Sequence, residues 1–134
     1  MTAKTAAIII GLAFLAAGLL GFVENPIIGE ADNAIFYTDT VHNFVHLISG
    51  ALFIIIALLA PAFAKTFSVL FGLVYLGLGI LGMLTIGSDG MTKLLGFLHV
   101  NGKDNYLHIG LGIGILFLGL ISRNVHRRET PRTS

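Results

Sequence analysis

The sequence predicts an all-α integral membrane protein, a four-helix transmembrane bundle made of two parallel tandem repeats of two helices each, with both termini cytoplasmic. Three observations carry that expectation. The chain is 55% hydrophobic and only 11% charged, with a mean hydropathy of +0.90, far from the usage of soluble domains. Four apolar segments, Thr5 to Val23, Thr40 to Ala60, Thr66 to Ile86 and Asp104 to Ser122, each approach the roughly 20 residues that a spanning helix needs. The third observation is an internal copy. The stretch His42-Asn43-Phe44-Val45-His46-Leu47-Ile48-Ser49-Gly50 returns 62 positions later as Asp104-Asn105-Tyr106-Leu107-His108-Ile109-Gly110-Leu111-Gly112. In both, an Asn, an aromatic, an aliphatic and a His open a long apolar run, with a Gly one helical turn after the His.

The first segment follows Lys4 and carries small residues at Ala16, Ala17 and Gly18, the pattern of a secretory signal. However, Gly11 to Gly21 aligns at a spacing of 61 with Gly72 to Gly82. The first segment is therefore expected to be retained as the counterpart of the third. Glu24-Asn25-Pro26 ends it, and the loop that follows holds Ile27, Ile28, Ile35, Phe36 and Tyr37, apolar enough to rest at the membrane interface. Asp39 or Thr40 is placed to cap the second helix, and Asn101 takes the equivalent position in the second half. Pro61 ends the second helix. The short turn Ala62-Phe63-Ala64-Lys65 makes helices two and three antiparallel neighbours. After the third helix, Gly87-Ser88-Asp89-Gly90 opens a second loop whose stretch Met91 to Val100 is apolar enough for a short interfacial helix.

Because each half holds two helices, the second half re-enters from the side on which the first began, so the repeats are parallel and not inverted. Residues 1–122 form the membrane domain, with repeat one at about 5–60 and repeat two at about 66–122. Residues 123–134 form a basic tail. The net charge of +1 conceals an asymmetry: Lys4, Lys65, Arg123, Arg127, Arg128 and Arg132 lie at the termini and central turn, while Glu24, Glu30, Asp32, Asp39, Asp89 and Asp104 lie in the other two loops along with only Lys93 and Lys103. The positive-inside rule then puts both termini in the cytoplasm, with the tail as an orientation signal that contacts lipid headgroups.

Ionisable side chains inside spanning helices are costly and count as functional candidates. His46 and His108, at equivalent depth near the outer edge of the hydrocarbon, are candidate cofactor-binding residues. His42 lies one turn above His46 on the same helix face, Asp104 holds that place in the second copy, and His99 lies in the loop just before it. His42, His46, His99, Asp104 and His108 are thus candidate metal ligands, and His46 with His108 are alternatively axial ligands of a haem held in a bundle. The plainer reading is a structural motif of Asn43, Asn105, Gly50 and Gly112, in which Asn and His lock helices together by interhelical hydrogen bonds.

Other chemistries lack their residues. With no Cys, disulfides, iron–sulfur clusters and thiol catalysis fall away. No Gly-rich turn leads into Lys and Ser or Thr as a phosphate loop requires, no Ser-His-Asp set is indicated, and no basic aromatic surface for nucleic acid exists.

The double motif, Asn43-x-x-His46 in the second span and Asp104-Asn105-x-Leu107-His108 opening the fourth, resembles a family of small prokaryotic four-span membrane proteins known only as a domain of unknown function. The resemblance runs from about Lys4 to Ser122 and implies the four-helix topology in the inner (plasma) membrane of a prokaryote, with no activity attached. His42 and His99 are not part of its pattern. The resulting expectation is a non-enzymatic, self-associating or accessory subunit of a larger membrane complex, with no cofactor and a structural Asn/His motif. The alternative is a protein that binds haem or a divalent transition metal through His46 and His108, and a third reading is a small channel or transporter.

Overall fold

The computed structural model describes residues 1–30, 33–87 and 90–124. The expected tail beyond Asn124 lies outside the described residues. Four helices dominate: α1 (Ala3–Leu20), α2 (Thr40–Leu59), α3 (Ala64–Ile86) and α4 (Gly102–Ile121), all long and apolar enough to cross a membrane. Large apolar side chains such as Leu12, Leu19, Leu59 and Leu84 point outward. The core side of each helix is occupied mostly by small, aromatic and polar residues. An apolar exterior on this scale is a lipid-facing surface.

Caps set the helix starts. The Asp39 carboxylate accepts from the His42 amide at 2.9 Å. Asn101 and Asp104 form a reciprocal capping box, in which Asn101 accepts from the Asp104 amide at 2.9 Å and Asp104 accepts from the Asn101 amide at 2.8 Å. Thr2 caps α1. At the opposite end of the bundle residues 1–3 meet Arg123, just beyond α4, with the Ala3 amide on the Arg123 carbonyl and the Arg123 amide on the Met1 carbonyl, at 2.9 and 3.1 Å. There Lys65 donates to the carbonyls of Leu120 and Ser122, both at 2.9 Å, closing the last turn of α4.

The helices pack closely in two pairs, α1 with α2 and α3 with α4, and the same contacts recur in each. Gly11 of α1 meets the Gly50 carbonyl of α2, and Gly72 of α3 meets the Gly112 carbonyl of α4, as Gly18 meets Asn43 and Leu47, and Gly79 meets Asn105 and Ile109. Gly21 lies against the Asn43 side chain and Gly82 against that of Asn105, so closely that a Cβ at either glycine would overlap the amide. Between the pairs the packing is aromatic. Phe53 of α2 stands 4.8 Å from Phe67 and 4.9 Å from Phe71 of α3, and Phe14 of α1 lies 5.0 Å from Tyr75. The short α2–α3 turn therefore joins helices held apart by rings, whereas small residues let backbones touch within each pair.

The loops differ from expectation at one element. Met91 to Val100 is not a short helix. It forms a hairpin of β3 (Met91–Leu94) and β4 (Leu98–Asn101), paired antiparallel with Leu94 opposite Leu98. Leu95 and Gly96, both at positive φ, make the turn, and Leu94, Leu98 and Val100 pack on Leu78 and Ile86 of α3. Alternate residues face that core, which is a strand period. In the first loop β1 (Ile28–Gly29) and β2 (Phe36–Tyr37) make a short parallel pair, and Asn25 ties the chain by donating to the carbonyls of Leu20, Val23 and Ile28.

Candidate functional site

The site forms at the loop end of the bundle, where α2 and α4 begin. His42, His46 and His108 come together there, each almost fully buried, and one ring nitrogen of each lies within 4.8 Å of one from the other two. His42 and His46 are one turn apart on α2, so their rings stand on one face with centroids 4.7 Å apart, and His42 is 5.5 Å from His108 of α4. Helix rise puts His46 roughly 10 Å below the Asp39 cap.

His42 Nδ1 lies 2.8 Å from the backbone carbonyl of His99. A carbonyl only accepts, so Nδ1 carries the proton and Nε2 presents its lone pair. That Nε2, both ring nitrogens of His46 and Nδ1 of His108 are buried and have no hydrogen-bond partner among the described residues. Buried polar atoms normally have partners; the side-chain oxygen of Asn43 and both amide atoms of Asn105 are likewise buried with no partner among the described residues. Below the cluster are aromatic rings: Phe14 meets His46 edge-on at 5.7 Å, Tyr75 meets His108 at 5.2 Å, and Phe71 and Phe53 follow.

Two residues named from sequence stand outside the cluster. The His99 ring, on the β4 strand, donates from Nδ1 to the Asp39 carboxylate at 3.1 Å, and only its backbone carbonyl touches the cluster. The carboxylate of Asp104 accepts from the amides of Asn101 and Tyr37. It anchors the first loop to α4. Burial alone would raise the Asp39 carboxyl, but the His42 amide, the His99 hydrogen bond and the charges of both rings outweigh it and hold the group below the usual carboxylate range.

Asn43 and Asn105 face the glycines of the neighbouring helix, as described above, while no interhelical hydrogen bond holds the ring of His46 among the described residues. Two further features had no signal in the sequence. Thr38 is 1% exposed and its hydroxyl has no partner among the described residues. A groove of about 390 Å³ between α1 and α4 runs from Thr38, His46 and His108 along Ala13, Gly110 and Gly114 to Leu118.

No curated protein matches the chain, and no solved structure matches it. A family model described as a domain of unknown function, DUF4383, matches residues 4–121. Its span takes in all four helices and the three clustered histidines, and the chain belongs to the DUF4383 family.

Proposed function

We propose that this membrane protein binds one transition-metal ion through His42, His46 and His108. The single observation that carries the reading is the convergence of three buried imidazoles whose facing nitrogens lack partners. Imidazole suits zinc, copper, iron and nickel. Metal–nitrogen bonds of about 2.0–2.1 Å would require the three rings, whose ligand atoms lie within 4.8 Å of one another, to close in on the ion. The bond from His42 Nδ1 to the His99 carbonyl supplies the outer support that metal-binding imidazoles use, fixing tautomer and ring plane. A bound ion would act as a Lewis acid at its remaining position, since three protein ligands leave one site open.

An ion fits this cluster better than a haem. The His42 ring lies 4.7 Å from that of His46 and 5.5 Å from that of His108, and with Phe14 against His46 and Tyr75 against His108 it takes the space a porphyrin between His46 and His108 would need. The rings of Phe14, Phe53, Phe71 and Tyr75 fill the bundle beneath the cluster, which argues against a channel. In this reading the repeated Asn and Gly residues have the structural role, and the histidines do not share it.

The matched Gly and Asn contacts of the two helix pairs support a tandem repeat of two-helix units. The contact of residues 1–3 with Arg123, next to the Lys65–Ser122 bond, gathers Lys4, Lys65 and Arg123 at one end, which supports cytoplasmic termini. Elemental analysis of protein purified in mild detergent tests the metal reading. One equivalent of metal in the wild type and less than a tenth in His46→Ala are expected, and a metal-free protein that also fails to load on addition of zinc or copper ends it.

A further inference from the structure

We propose that the groove between α1 and α4 holds a long-chain fatty acid, its alkyl tail in the membrane-embedded trough and its carboxylate at the open position of the histidine-bound ion. The inference rests on the metal reading above and adds the class of molecule that completes the site.

The trough is built of absent side chains. Ala13 and Ala17 line one wall, Gly110 and Gly114 the other, and a Cβ at either glycine would meet nothing within 4 Å. From His108 to Leu118 it follows α4 for about 15 Å by helix rise. Its volume of about 390 Å³ falls within the range of small-ligand sites. Nearly all of its lining is apolar except at the head, where His46, His108, Asp104 and Thr38 gather. Thr38 there is 1% exposed with an unpartnered hydroxyl, and His46 and His108 bring unpartnered ring nitrogens. With the ring nitrogens on the ion, an alkyl chain alone would leave the Thr38 hydroxyl unsatisfied and the ion's remaining position unfilled.

Charge selects the head group. Three neutral imidazoles leave the charge of a divalent ion uncompensated at a buried site, which is costly. Of the described carboxyl groups nearest the cluster, Asp39 is held by His42 and His99, and Asp104, at the head of the groove, accepts from the amides of Asn101 and Tyr37, so neither is among the three ligands and at most one of the ion's two positive charges is met from within the protein. A carboxylate brought by the ligand supplies the missing anion, with one oxygen on the ion and the other accepting from the Thr38 hydroxyl. A fatty alcohol brings no charge.

The test is equilibrium binding of radiolabelled palmitate to zinc-loaded protein in micelles, with hexadecanol as competitor and zinc content measured on every sample. One palmitate per chain is expected, with affinity at least tenfold weaker once zinc is removed and little competition from hexadecanol. Gly114→Leu, which fills the trough, is expected to weaken binding at least tenfold. Gly77→Leu, on α3 outside the groove and at a position where an added Cβ also meets nothing within 4 Å, is expected to leave it unchanged. Zinc bound at one equivalent with palmitate non-saturable, displaced equally by hexadecanol or indifferent to Gly114→Leu would mean annular lipid only, and would overturn this inference while leaving the metal site standing. Saturable palmitate binding in protein that takes up no zinc would overturn both the metal reading and the role given to the carboxylate.

Discussion

Replacing single glycines of α4 with alanine separates packing from helix propensity. Each Gly→Ala change gains about 1 kcal/mol of propensity, so differences between positions isolate what the new methyl meets. At Gly112 a Cβ would lie 2.7 Å from Leu76 Cα and 2.8 Å from Leu76 Cβ on α3. Carbon atoms rest at about 3.5–4.0 Å, so the helices must part by roughly 0.8 Å or more, and a gap of that size forfeits a quarter to a half of each neighbouring dispersion contact. Overpacking of this kind costs about 1–3 kcal/mol. At Gly110 and Gly114 the same methyl meets nothing within 4 Å. Gly112→Ala is therefore expected to be less stable than Gly110→Ala and Gly114→Ala by about 1–3 kcal/mol. Gly50→Ala, whose Cβ would lie 2.8 Å from Leu15 and closer still to the Gly11 carbonyl, should show the same sign in the other helix pair. Reversible unfolding in mixed micelles, followed by far-ultraviolet circular dichroism, measures it. If Gly112→Ala lies within about 0.5 kcal/mol of Gly110→Ala, the ordinary scatter of neutral substitutions, the close pairing of α3 and α4 is wrong.

Asp39→Ala is expected to cost about 1 kcal/mol at neutral pH through loss of the α2 cap. Because the folded carboxyl is held below its usual range, its contribution is present above about pH 4 and is lost as pH falls through the lower folded value. Melting curves of wild type and variant should thus converge below pH 4, and a constant gap would contradict the assignment. Lys65→Met removes both bonds to the last carbonyls of α4 and should destabilise by roughly 0.3–1 kcal/mol, with Lys65→Arg restoring most of it in the same unfolding assay. His99→Ala leaves the backbone carbonyl that holds His42 in place, so metal affinity measured by competition with a chromophoric chelator should stay within about tenfold of wild type. His42→Ala should lose more than that.

Much of the architecture was legible because membrane helices announce themselves by length and apolarity. The four segments from sequence match α1 to α4 to within three residues at each end, and Asp39 and Asn101 cap as expected. The hairpin at Met91–Asn101 departs from the expected helix because apolar content alone carries no period. Leu98 and Val100 alternate with His99 and Asn101, a strand signal, and Gly96 marks the turn. At the site, the alignment of the two copies singles out His46 and His108 and not His42, since Asp104 replaces it in the second copy. That comparison finds what the halves share. The cluster is asymmetric, with two rings from one helix and one from another, so its third member is the residue that breaks the repeat. Whether Asp104 or His99 joins it depends on which side-chain atoms backbone amides and Asp39 have already engaged, and sequence spacing does not carry that information.

The most direct test of the central proposal is X-ray absorption spectroscopy of the zinc- or copper-loaded protein. The account predicts a shell containing three imidazole nitrogens at about 2.0–2.1 Å for zinc, falling to two in each of His42→Ala, His46→Ala and His108→Ala and remaining three in His99→Ala. A shell of oxygen ligands, or an imidazole count unchanged by substitution of His42, His46 or His108, would contradict it.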